Sequence, residues 1–241
     1  MYIGEIKFKA KESLRGRVIQ SAGATLIYFL ITGILPQIID KSLENIIGKL
    51  PSDLILYGIS LIISSALAVG VISYFFSFSD DREDTKISLL FSGFDSFLKV
   101  LIYQVLLILV ISLVVIIGGM LGGLICYAAN YNIAVMIVVS ILMIALGIII
   151  IWFVLRLFFV NFIFTDDKDT GIMTAVKRSF FLTKGYTVKL LLTTLSFILW
   201  DLACILIIPF FYVFPYMQLT YVNFYRELKK IKDVNNTYIE E

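Results

Sequence analysis

The chain has 241 residues, of which 60% are hydrophobic and only 16% charged, with a formal net charge of +2. Soluble globular domains carry about a quarter charged residues, so a water-soluble core of this size is excluded, and so small a charge excess gives nucleic acid no electrostatic footing. There is no histidine, which removes the commonest general base and the commonest zinc ligand; the two cysteines, Cys126 and Cys204, stand alone in apolar runs without metal or redox spacing.

A helix rising about 1.5 Å per residue needs about 20 apolar residues to cross a hydrocarbon layer about 30 Å thick. Residues 6–17 form a basic juxtamembrane helix with Ile6, Ala10 and Leu14 on one stripe. The first span follows at 18–39, with Pro36 near its far end; its apolar run is too long for a cleaved secretory signal. Residues 40–53 read as a short outer loop and 54–78 as the second span, with Ser60, Ser64 and Ala68 at helix-packing intervals. The acids Asp80, Asp81, Glu83 and Asp84 read as a solvated turn, not a metal site, and lead into a second amphipathic helix at 87–99.

The third span, 100–127, carries Gly118, Gly119, Gly122 and Gly123, two overlapping GxxxG patterns that let helices approach closely. A tight turn leads to the fourth span, 133–164. It is too long for an upright crossing, so it must tilt or project, with Arg156 reaching for headgroups where the projection begins. A third amphipathic helix at 172–184, ending at Lys184 at the same headgroup level, introduces spans five and six, 188–208 and 210–225. All lysines and arginines except Lys41, Lys49 and Arg156 then fall on one side, which places both termini in the cytoplasm.

With that orientation, each amphipathic helix is followed by two spans, and this happens three times at a period of roughly 80 to 90 residues. The expectation is an all-α membrane protein of six transmembrane helices in one domain, built from three tandem units of amphipathic helix plus hairpin.

Asp201 is the one acid inside a span. A carboxylate there costs on the order of 3 kcal/mol, so it should be paired or functional. Gln218 lies at matching depth on the other side of the last hairpin turn, and the two form a candidate intramembrane polar site. No zinc-protease, aspartyl intramembrane protease or Walker sequence is present, so an enzyme is not expected. No cofactor or metal is called for.

The residues Leu182 to Gly185, Leu195 to Trp200, Pro215-Tyr216, Thr220 and Phe224 to Leu228 together resemble the bacterial integral membrane family known as domain of unknown function nine-seven-five. The segments ending Leu14 to Arg17 and spanning Ser92 to Lys99 are also similar, while Ile207 to Phe210 replaces a glycine-rich link and Gly147 stands for a proline-glycine. The resemblance implies a six-span protein of the bacterial cytoplasmic membrane and supplies no activity. The expected role is non-enzymatic: binding or organising membrane lipids, a peptide or another membrane protein. The alternative is a small transporter or exporter subunit with a polar or proton-coupled site near Asp201.

Overall fold

The structure is a computed structural model that describes residues 2–80, 85–206 and 208–237, without the side chains of residues 47, 201, 206 and 234–237. Asp81, Glu83 and Asp84 of the acidic turn therefore lie outside the described residues. Every described element is helical. Among the described residues four helices are long and apolar enough to cross a membrane, Val18–Ile46, Lys49–Ser79, Phe97–Ala128 and Ile133–Asp166, and they make this a multi-pass membrane protein. Thr187–Trp200 is a shorter apolar helix.

Helix α1 (Ile3–Leu14) buries Ile6, Ala10 and Leu14. It leads into α2 (Val18–Phe29), a π-helical turn at Leu30–Ile34 and α3 (Leu35–Ile47). Pro36 has no amide to offer the carbonyl four residues back, and the wide turn just before it absorbs the lost bond, so the chain bends without breaking. The loop expected at 40–53 is instead helical: α3 continues to Ile47, and only Gly48, at φ +82°, separates it from α4 (Lys49–Ser79). Pro51 sits in the first turn of α4, where its missing donor costs nothing.

A 3-10 helix, Ile87–Asp95, then lies against α4 in unusually close contact. A Cβ on Gly70 would overlap the Leu90 carbonyl, and one on Gly93 would overlap the carbonyl of Ala66. Glycine at both positions lets the two backbones touch.

Helices α5 (Phe97–Ala128) and α6 (Ile133–Leu157) form a hairpin closed by Asn130 and Tyr131 in left-handed conformations, with the Asn132 side chain accepting from the Ala134 amide at 2.9 Å. The span expected at 133–164 falls within Ile133–Asp166, where a two-residue turn at Phe158 and Phe159 divides α6 from α7 (Val160–Asp166). The interruption frees carbonyls near the end of α6. The Ser179 hydroxyl donates to the Arg156 carbonyl at 2.8 Å, and the Tyr103 hydroxyl donates to that of Leu157 at 3.5 Å. Such satisfaction is what lets a helix break inside an apolar setting.

Helix α8 (Ile172–Thr183) is followed by α9 (Thr187–Leu195) and α10 (Ile198–Ala203), so the fifth expected span is also broken, at Ser196 and Phe197. The last helix, α11 (Phe210–Thr237), continues well beyond 225, with Pro215 in its apolar first half. It runs antiparallel to α9: the Phe197 ring meets Tyr216 at 5.3 Å, and the Tyr221 hydroxyl lies 3.4 Å from that of Thr194.

Three junctions in this chain share one backbone geometry. Arg17, Ser96 and Tyr186 precede α2, α5 and α9 with φ/ψ of −121°/18°, −115°/6° and −122°/0°. In each, the amide bonds back three residues, to Leu14, Gly93 and Thr183, at 3.0, 3.1 and 2.9 Å. Each carbonyl then receives the amide four residues on, from Ser21, Val100 and Leu190. Burial follows the same register: Leu14, Gly93 and Thr183 are buried, as are Ala24, Tyr103 and Thr193. The first and third junctions are type II turns, with Gly16 and Gly185 at φ +80° and +83° after Arg15 and Lys184 at ψ near 120°.

The helices before these junctions each rest on the second arm of a different hairpin: α1 chiefly on α11, the 3-10 helix on α4, and α8 on α6 and α7. The arms themselves converge on three rings, Phe76 of α4, Phe162 of α7 and Tyr225 of α11, whose centroids lie 6.2, 5.8 and 5.7 Å apart. Phe159 packs on both Phe162 and Tyr225 and stacks on Phe224, and Phe75, Phe78 and Phe164 are fully buried in the same core.

Candidate functional site

Around that aromatic centre the arm ends carry a ring of charge. Arg226 pairs with Asp80 at 2.8 Å, donates to the Phe76 carbonyl at 3.1 Å and to the Ser79 hydroxyl at 3.2 Å. It thereby caps the carbonyl end of α4, where a cation is favoured by the helix dipole. Lys229 pairs with Asp166 at 2.6 Å, and the Tyr225 hydroxyl donates to the same carboxylate at 3.0 Å. Lys168 pairs with Asp95 at 3.0 Å, while the Lys99 ammonium donates to the Lys168 carbonyl at 2.8 Å. Arg17 donates to the Phe78 carbonyl at 3.1 Å and lies over the Phe78 ring at 4.3 Å. These contacts tie the ends of α4, α7 and α11 to the junctions beside them.

Beyond the ring, the exposed Asp167 ends α7. It accepts from the Thr170 hydroxyl at 2.7 Å and from the Asp169 amide at 3.1 Å. These bonds, the Thr170 hydroxyl first, hold its carboxyl below the ordinary carboxylate range.

A cavity of about 430 Å³ opens between α1 and the ends of α4 and α11, lined among others by Lys9, Ser13, Ser79, Asn223 and Lys230. Asn223 Oδ1 accepts from the Ser79 hydroxyl at 3.2 Å, while its Nδ2 is buried without a hydrogen-bond partner among the described residues. A second cavity of about 520 Å³ adjoins it around α1, lined by Phe8, Leu14, Val18 and Tyr212.

The residues singled out in the sequence fall elsewhere. Gly118 faces α6, where a Cβ would press on Leu146, and Gly122 faces Val139; a Cβ on Gly119 or Gly123 would meet nothing within 4 Å. The four glycines are thus not one packing surface: Gly119 and Gly123 point away from the hairpin. Arg156 lies over the rings of Trp152 and Phe180 at 5.3 and 5.1 Å, with its Nε buried and without a hydrogen-bond partner among the described residues. Lys184 is exposed at the end of α8, and its carbonyl accepts from Lys232 at 3.2 Å. Asp201 falls in α10 with its side chain outside the described residues, so its pairing with Gln218, half-buried on α11, lies outside them too. No group of three or more acidic or cysteine side chains that could hold a metal ion occurs among the described residues.

The cavity residues Lys9, Asn223 and Lys230 escaped sequence reasoning because each reads singly as a solvated polar residue. The available signal was the segment Phe224 to Leu228, which carries Tyr225 and Arg226 and is flanked by Asn223 and Lys230.

The family model described as "Protein of unknown function (DUF975)" matches residues 1–232, and the chain belongs to that family. No curated protein and no solved structure matches the chain.

Proposed function

We propose that this member of the family is a non-enzymatic component of the bacterial cytoplasmic membrane that binds or organises a lipid, a peptide or a partner membrane protein. The observation that carries the reading is how little of two spans the chain itself covers. In their most apolar stretches, α4 is 39% buried, α5 only 11%, and the α6–α7 span 0%. Spans that bury so little leave a wide apolar surface for lipid chains or the helices of a partner.

The protein has six spans in three tandem units in this reading, with both termini cytoplasmic. The three matching junctions support the units, as does the way each leading helix rests on the arm of the preceding unit, α1 closing the ring on α11. The antiparallel pairing of α9 with α11 supports a third hairpin. The positive charge gathered beside the aromatic centre supports the orientation. Copurification from native membranes, with mass spectrometry of bound lipids and proteins, should recover a lipid or protein at near-stoichiometric ratio; a bare monomer would overturn the reading.

The second reading is a transporter or exporter subunit. It is favoured by the break at Ser196 and Phe197, since discontinuous helices in membranes often line substrate sites, and by Asp201 and Gln218 on the same hairpin. Asp201→Asn leaves membrane abundance unchanged in either case; a lost transport phenotype at normal abundance would decide for transport.

A further inference from the structure

The three contacts between a leading helix and the arm beneath it are built alike but filled differently. Between the 3-10 helix and α4 the backbones touch at Gly70 and Gly93, leaving no space. Between α8 and α6 the Ser179 and Thr183 hydroxyls close onto the Arg156 carbonyl. Between α1 and α11 the contact opens into the 430 Å³ polar cavity.

We propose that this cavity holds the phosphate of one membrane phospholipid, a site that rests on the lipid-binding reading above and gives it a place. Lys9 and Lys230 are exposed and form no ion pair among the described residues, so both ammonium groups can turn to an anion. Asn223 supplies the more telling feature. Its buried Nδ2 has no acceptor among the described residues, a position that costs free energy unless something completes it. A phosphate oxygen would do so once the amide turns toward the cavity that Asn223 lines. Arg226 lines the same wall but is held by Asp80, Ser79 and the Phe76 carbonyl, so it contributes field and rigidity.

The ligand's apolar part has a path as well. Glu12 lines both this cavity and the adjoining one, whose walls include Phe8, Val18 and Tyr212. Tyr212 lies nearer the start of α11 than Asn223 does, roughly 16 Å away along a helix rising about 1.5 Å per residue. A headgroup at Lys9 and Lys230 would therefore send its acyl chain toward the middle of the membrane. Glu12 and Glu227 at the polar rim also suit a headgroup that carries an ammonium beside its phosphate.

The test is native mass spectrometry of the full chain released from nanodiscs containing phosphatidylethanolamine and phosphatidylglycerol, with Lys9→Gln/Lys230→Gln and Asn223→Leu beside the wild type. One retained phospholipid is expected on the wild type, with occupancy falling roughly ten-fold in the double lysine variant, as for lost charge-assisted bonds. Lys41→Gln, far along the chain in α3, should leave occupancy unchanged, and unfolding midpoints within a degree or two of the wild type would certify the folds. Retention of lipid by the wild type with undiminished occupancy in both site variants would overturn the site while leaving the lipid-binding reading in place. No retained lipid on the wild type would overturn both. If millimolar inorganic phosphate stabilises the wild type and not the variants, and no lipid is retained, the cavity takes a soluble phosphate and the lipid assignment falls.

Discussion

The ring of Phe76 in α4 lies 6.2 Å from that of Phe162 in α7, inclined by 64°, although the two residues belong to different hairpins. Tyr225 completes the contact from a third arm. Aromatic pairs tilted in this way contribute about 0.5–1.5 kcal/mol beyond the area they bury. Phe162, only 4% exposed, should cost about 3 kcal/mol on replacement by alanine, because a cavity would open where three arms meet. A double-mutant cycle of Phe76→Leu and Phe162→Leu, read by denaturant unfolding in micelles, should give a coupling of about 1 kcal/mol. Strict additivity would show that the rings merely neighbour one another.

The contact of α4 with the 3-10 helix makes a sharper demand. Because a Cβ at Gly70 or Gly93 would collide with backbone carbonyls, no side-chain rotation can relieve it. Gly93→Ala should therefore cost about 2 to 4 kcal/mol, the range of a forced backbone shift in a packed core. Gly119→Ala, whose Cβ would meet open space, should be neutral or slightly stabilising. Gly118→Ala should fall between them, since the atom it presses is the mobile end of Leu146. Thermal midpoints of the three purified variants check this order, and an unaffected Gly93→Ala would refute the close contact.

The type II turns at Gly16 and Gly185 ought to respond alike. Both have φ near +80° with nothing within 4 Å of a would-be Cβ, so the penalty for alanine is one of conformation alone, about 1 kcal/mol at each. Equal losses in unfolding free energy for Gly16→Ala and Gly185→Ala would mark the junctions as equivalent; a large difference would count against three related units.

Much of this architecture is written in the sequence at the level of hydrophobic runs. Val18, Val100 and Val188 each open an apolar stretch after an amphipathic segment, and the junction residues Arg17, Ser96 and Tyr186 lie one to four residues before those points. The breaks are not legible in the same way. Phe158 and Phe159 are as apolar as their neighbours, and the helix yields there because Ser179 and Tyr103, distant in sequence, supply hydroxyls to the freed carbonyls. Likewise nothing local tells Gly118 from Gly119: a helix turns about 100° per residue, so adjacent glycines face different ways, and only the position of α6 decides which pair packs. Asn223 is hidden for a related reason, since the cavity around it is assembled from three helices.

Asp167 offers a test by pH. Its folded carboxyl titrates below the unfolded value of about 3.9 because Thr170 and the Asp169 amide donate to the ionised form. The stabilisation is thus present above that unfolded value and is lost as pH falls through the folded one. Thr170→Val removes the first of these donors and should raise the carboxyl toward its ordinary range. Carboxyl-carbon NMR of micellar protein with labelled aspartate would follow it, and an unmoved titration in the variant would refute the assignment.

Orientation can be decided by two single cysteines on a background with Cys126 and Cys204 replaced. Ser42 is exposed on α3, on the far side of the first span from α1, and its hydroxyl bonds to the Ile38 carbonyl of its own helix, so Ser42→Cys should be tolerated. Lys11 is exposed on α1, where a cysteine would replace a side chain that takes no part in the aromatic centre. If the positive end of the protein faces the cytoplasm, a membrane-impermeant maleimide added to intact cells should modify Ser42→Cys and leave Lys11→Cys untouched until the membrane is permeabilised. The same positive end holds Lys9, Arg226 and Lys230, so the result also fixes which leaflet supplies the phosphate proposed for their cavity. Labelling of Lys11→Cys in intact cells would invert the topology and move that site to the outer leaflet.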